Sequence, residues 1–136
     1  MNKQIAIEWL KKVYHDLGSA KILYEANHYT DTIGVDLHYA IEKSLKTFLA
    51  YDNKKIPKTH NLHELRELVK DYIDFDIDEI KLINIATDYH IIESYPVMSK
   101  TLPSRIEIKE ILDFADSLFQ KVCTILMINI KEIIQE

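Results

Sequence analysis

Between Asp31 and Tyr51 the apolar residues Ile33, Leu37, Ile41, Leu45 and Phe48 recur at steps of three and four. That spacing lays side chains in one stripe along a helix, and such a stripe is stable only against a core. The pattern therefore predicts an amphipathic helix on which the rest of the chain packs. Turned away from the stripe, on this reading, are two polar columns: His38, Glu42 and Lys46, and beside them Tyr39, Lys43 and Thr47. The helix is expected to be half scaffold and half exposed display. A Glu followed by Lys at i+4 also has a plainer reading, a surface ladder that stabilises a helix by about 0.2–0.5 kcal/mol.

The flanking segments repeat the helical period. A first helix is expected from about Lys3 to Ala26, with Ala6, Trp9 or Leu10, Val13, Leu17, Ala20 and Tyr24 turned inward and His15 and Asp16 in water. Trp9 reads as a core anchor. Asn27, His28 and Tyr29 are too short a connection for anything but an antiparallel return. The polar segment Asp52–Asn61 contains Pro57 and reads as a loop. Asn61 with Glu64 has the form of an N-terminal cap for a short third helix, and Asp76 with Glu79 for a fourth. Tyr95-Pro96 is expected to end or bend the fourth helix. Ser104 with Glu107 then opens the last and longest helix, expected from about Arg105 to Ile134. Around Ile125 to Ile128 its apolar residues spread beyond one face, which predicts a surface shared between two subunits.

With two glycines and three prolines in 136 residues, the chain has little from which to build hairpins. The expected fold is all-α: a single domain over residues 1–136, an antiparallel up-and-down bundle of about five helices, two long at the N-terminal end, two short, and one long at the C-terminal end. The single cysteine, Cys123, cannot form an internal bridge and reads as a small core hydrophobe. No secretory leader is apparent and no run is apolar enough for a membrane span, so a cytoplasmic protein with no membrane contact is expected.

A net charge of −5 argues against a general nucleic-acid surface. The charge is uneven, however. Residues 43–70 carry seven positive side chains (Lys43, Lys46, Lys54, Lys55, Lys58, Arg66, Lys70) against three negative, and residues 71–136 carry six against thirteen. Lys54, Lys55, Lys58 and His60 immediately precede the predicted third helix, whose unpaired N–H groups would favour an anion. Among six histidines, His60-x-x-His63 and His90-x-x-Glu93 have ligand spacing, but neither is supported by a second Glu-x-x-His element, and the reading favours histidines without a metal. No phosphate loop, nucleophile elbow, zinc-protease motif or Cys-x-x-Cys is present, and no cofactor is expected.

Trp9, Asp16-Leu17 and Ala20 in the first helix, Ala40-x-Glu42-Lys43-x-x-Lys46 in the second, Pro57-x-Thr59-His60-x-Leu62 in the loop and Tyr95-Pro96 before the last helix together resemble a HEPN domain. The resemblance covers nearly the whole chain. It implies a dimeric helical bundle related to nucleotides or RNA, often encoded beside a minimal nucleotidyltransferase in toxin–antitoxin pairs. Ribonuclease members of that family use Arg-x4–6-His, which cannot be drawn here: the two arginines are Arg66 and Arg105, His90 is 24 residues beyond the first, and no histidine follows the second. No catalytic residue is therefore assigned. The reading is a homodimeric nucleotide- or phosphate-binding component with Lys43, Lys46, Lys54, Lys55, Lys58 and His60 on the anion side, His38 and Glu42 in the same column, and Tyr39 or Tyr95 stacking on a base. Two alternatives stand beside it: a protein-interaction module docking on a nucleotidyltransferase, and a ribonuclease with a shifted site using His38, His60 or His90.

Overall fold

The computed structural model describes residues 1–90 and 102–134. Among them are six helices and no strand: α1 Lys3–Glu25, α2 Thr30–Tyr51, α3 Leu62–Leu68, α4 Ile77–Thr87, α5 Arg105–Ile125 and α6 Lys131–Ile134. The all-α bundle expected from the periodicity is the fold. Tyr95-Pro96 lies outside the described residues.

The starts of α1, α3, α4 and α5 follow from a local donor problem. The first backbone N–H groups of a helix lack partners, and short polar side chains supply them. Asn2 Oδ1 accepts from Ile5 N at 3.1 Å, Asn61 Oδ1 from Glu64 N at 3.1 Å, and Ser104 Oγ from Glu107 N at 3.0 Å. Asp76 and Glu79 form both halves of a capping box. At Ser104 the Glu107 carboxylate is engaged elsewhere, accepting from the Tyr89 hydroxyl at 2.7 Å.

Three helices stop in the same way. Asn27, Asn53 and Met127 each adopt φ of 56°, and the residue after each donates its N–H back to Leu23, Leu49 and Cys123 at 2.9 Å. This paired C-terminal closure normally uses glycine, sometimes asparagine. Met127 carries no such signal, and the long helix expected to reach Ile134 ends at Ile125 instead. Its tail turns back as α6, which packs on α1. Part of the apolar excess around Ile125 to Ile128 is covered within the chain, where Leu126, Ile128 and Ile133 are buried, whereas Ile125 and Met127 remain exposed.

Helix α2 lies at the centre, packing against α1, α3, α4 and α5. Its stripe Ile33, Leu37, Ile41, Leu45 and Phe48 is wholly buried, joined by Leu10, Leu17, Leu62, Leu65, Ile83, Ile108 and Phe119 from its neighbours. Cys123 is buried, as expected. Trp9 is not the anchor it resembled; Leu10 fills the core position, and Trp9 lies half-buried at the surface with Ile5, Glu8, Lys12 and Lys43 around a cavity of about 400 Å³. Asp16 is also half-buried rather than solvated, because Lys43 pairs with it at 2.8 Å.

Candidate functional site

The two polar columns of α2 do not form an exposed face. His38 is 0% exposed, Glu42 5%, Lys46 6% and Thr47 0%. The short helices α3 and α4 fold over α2 on the side where the sequence predicts water, and a buried charge persists only if paired. The first column is consequently knitted into one network. His38 Nδ1 donates to the Ala86 carbonyl at 2.9 Å, and Ala86 is in the last turn of α4, where carbonyls lack helical partners. Across the ring, His38 Nε2 lies 3.3 Å from Glu42 Oε1. The same oxygen meets His60 Nδ1 at 2.8 Å, while Glu42 Oε2 accepts from Lys46 Nζ at 3.1 Å.

Glu42 is the hub. Burial would raise its carboxyl, but hydrogen bonds from His38, His60 and Lys46, with the Lys46 charge, outweigh that and hold it down at about 2. It remains a carboxylate throughout the physiological range. The second column is divided. Thr47 returns its hydroxyl to the Lys43 carbonyl at 2.7 Å, and the Lys43 ammonium turns toward α1 and Asp16. Near that pair, Asp36 has its carboxyl raised, by burial and by the Asp16 charge against the lowering effect of Lys43.

At the rim of the network stand His60, whose side chain is half exposed, and His90. Their rings stack with centroids 4.5 Å apart and planes 22° from parallel. Tyr39 meets His38, His60 and His90 edge-on at 5.5, 6.2 and 6.1 Å. Beside them His60, Asn61, Thr87, Asp88 and His90 line a cavity of about 200 Å³. Three histidines and a tyrosine, from α2, the loop before α3 and the segment just after α4, thus gather beside one buried carboxylate.

Of the residues expected to form an anion site, the structure brings together His38, Tyr39, Glu42, Lys46 and His60. It does not bring the others there. Lys43 is committed to Asp16; Lys54 lies 5.2 Å over the Tyr72 ring, whose hydroxyl bonds Asp52; Lys55 and Lys58 are exposed in the loop; Tyr95 lies outside the described residues. At the start of α3, Leu62 N donates to Thr87 Oγ1 at 2.9 Å and Glu64 N to Asn61 Oδ1, so two of the donors expected to favour an anion there are engaged within the chain. Sequence reasoning missed His90 as a partner of His60, and Ala86 and Thr87 as the α4 groups that tie the layers together. His60 and His63 do not share a site, since His63 Nδ1 lies 2.6 Å from the Arg66 guanidinium.

The architecture defines a helical bundle built around a central helix with a buried histidine–carboxylate–lysine network. A HEPN domain model matches residues 6–126, and the chain belongs to the HEPN family. Among solved structures it is similar to TT1696 from Thermus thermophilus, with a TM-score of 0.76 and 22% identity over 92% of this chain and 99% of that one. That likeness is one of fold. Comparison with curated proteins returns no match. No helix among the described residues is long and apolar enough to cross a membrane.

Proposed function

We propose that this HEPN protein binds a nucleotide or another phosphate-bearing partner without cutting RNA, and works as a homodimer beside a minimal nucleotidyltransferase, in a pair of the toxin–antitoxin kind. One observation carries the reading: the imidazoles of His60 and His90 line a small cavity with Asn61, Thr87 and Asp88, the Tyr39 ring packs edge-on against both imidazoles, and His60 ties that cavity to the buried Glu42 network. A volume of about 200 Å³ is below the roughly 300–1,000 Å³ of pockets that enclose whole ligands. It suits one phosphate-sized group, with the remainder of the ligand lying on the surface. Lys55 and Lys58 stand outside this cluster, but they are exposed on the loop that leads to His60, where their charge attracts an anion at longer range. Stacking on His60 and His90 supplies affinity for a base. Cleavage is left out because the Arg-x4–6-His pair that would share proton transfer and charge stabilisation is missing from the sequence.

Titration with ATP and with a short single-stranded RNA at low and moderate salt tests the reading. Lys55→Glu combined with Lys58→Glu leaves the buried network intact, whereas substituting Lys46 would disturb folding and binding together. Binding that weakens with salt and falls about tenfold or more in the double variant is expected. Absence of binding to either ligand, or binding equal in the two proteins, overturns it. Light scattering on the purified chain, and co-purification with a co-expressed nucleotidyltransferase, test the assembly.

A further inference from the structure

We infer that His38, Glu42 and His60 form a binding site for a divalent first-row transition ion of zinc type, with an open coordination position facing the cavity beside His90. The three residues each offer one ligand atom, and these atoms lie within 4.8 Å of one another. Two imidazole nitrogens and one carboxylate oxygen are the donor set of three-ligand zinc sites that keep a fourth place for water or substrate. Metal–ligand bonds of about 2.1 Å in a tetrahedral array hold neighbouring donors about 3.4 Å apart. Glu42 Oε1 is already 3.3 Å from His38 Nε2, while its 2.8 Å edge to His60 Nδ1 must lengthen and the edge between the two imidazoles, within 4.8 Å, must adjust, and both edges involve His60. His60 is the half-exposed member and the one free to move.

The arrangement behind these atoms is independent support. His38 Nδ1 faces a backbone carbonyl, which can only accept, so that nitrogen carries a hydrogen and Nε2 is the atom aimed at Glu42. Metal-bound histidines are oriented in this manner, by a carbonyl on the far ring nitrogen. Lys46 occupies Glu42 Oε2 and leaves Oε1 as the single coordinating oxygen. With Nδ1 carrying a hydrogen, a buried Nε2 pointed at a carboxylate oxygen takes either a second proton or a metal ion between them, and a metal ion would serve His38 and His60 together. His60 also lines the cavity formed with Asn61, Thr87, Asp88 and His90, and through that shared residue we place the open position on the cavity side. A bound ion there would take a water or a phosphate oxygen as fourth ligand.

The inference does not depend on nucleotide binding, and its test uses zinc or cobalt alone. Full-length protein stripped with chelator is titrated with Zn²⁺ against a chromophoric competitor, and in parallel with Co²⁺ while visible absorption is recorded. One ion per chain is expected, with the intense visible bands of a four- or five-coordinate cobalt centre. His60→Ala, whose fold is checked by circular dichroism, should lose at least the roughly 10–100-fold in zinc affinity that removal of an outer-shell partner costs, since here a ligand itself is lost, and His63→Ala should bind as the parent does. Failure to bind zinc, the weak spectrum of octahedral cobalt, or equal affinities in the parent and His60→Ala would overturn the site and leave protons as the cations shared with Glu42.

Discussion

Replacing Glu42 by glutamine keeps the shape of the hub and removes its charge. In chelator-treated protein this leaves the Lys46 ammonium, 6% exposed, without its carboxylate. Two routes give the cost. The network holds the Glu42 carboxyl at about 2 where 4.5 is ordinary, which corresponds to a preference of the fold for the ionised form of roughly 3 kcal/mol. Removing one member of other buried ion pairs costs about 3–5 kcal/mol. A loss near 3 kcal/mol, divided by a urea slope of about 1–3 kcal/mol per molar, moves the midpoint down by about 1–3 M.

The same reasoning sets a pH dependence with a definite sign. Because the folded carboxyl is depressed, its stabilising effect is complete above the unfolded value of 4.5 and is lost as pH falls from there through about 2. The gap between wild type and Glu42→Gln should therefore be full at pH 7 and about half gone at pH 3. Urea titrations followed by far-ultraviolet circular dichroism at both pH values measure it. Coincident midpoints at pH 7 would mean that Lys46 and the imidazoles find water when the charge is removed, and that the column is not an obligate ion-paired core. A gap undiminished at pH 3 would refute the electrostatic account and leave packing as the cause.

Other substitutions test the frame around the site. At Gly18 an added methyl meets nothing within 4 Å, so Gly18→Ala should raise stability by about 0.5–1 kcal/mol; at Gly34 it meets two Tyr89 ring atoms at 3.0 Å. The Tyr89 hydroxyl is tied to Glu107, so about 1–3 kcal/mol of overpacking should outweigh the helical gain at Gly34, and the melting temperatures of the two variants should move in opposite directions. Met127→Gly should stabilise by about 0.5–1 kcal/mol in chemical denaturation by removing a left-handed methionine that is 84% exposed, and a lower midpoint would contradict that closure. Burial pushes the Cys123 thiol up to about 11, leaving about 0.1% thiolate at pH 8, so iodoacetamide should label native protein at least about 100-fold more slowly than unfolded protein. Equal labelling rates would place Cys123 at the surface.

Helix order and the apolar stripe of α2 were legible because period and caps are local. The end of α5 was not, since a methionine in the left-handed region looks like any other helical residue, whereas Asn27 and Asn53 are types that tolerate that geometry. The polar column of α2 was harder still. His38, Glu42 and Lys46 have the same spacing whether water or α4 lies opposite, and their partners His60 and Ala86 stand 22 and 48 residues from His38. Pairings of that kind are made by packing, which a helical period does not encode. One signal was nevertheless present. Ala40, Ser44 and Thr47 form a line of small residues between the two apolar turns, and all three are fully buried. Small side chains along a helix permit close approach of a neighbour, so a helix with an apolar stripe and an adjoining small-residue line is covered over more than its stripe. Thr47 belongs both to this line and to the second polar column, and it is buried. Of the two columns only the first combines a carboxylate with donors at i−4 and i+4 that can satisfy it away from water, which makes it the one able to be covered by α4.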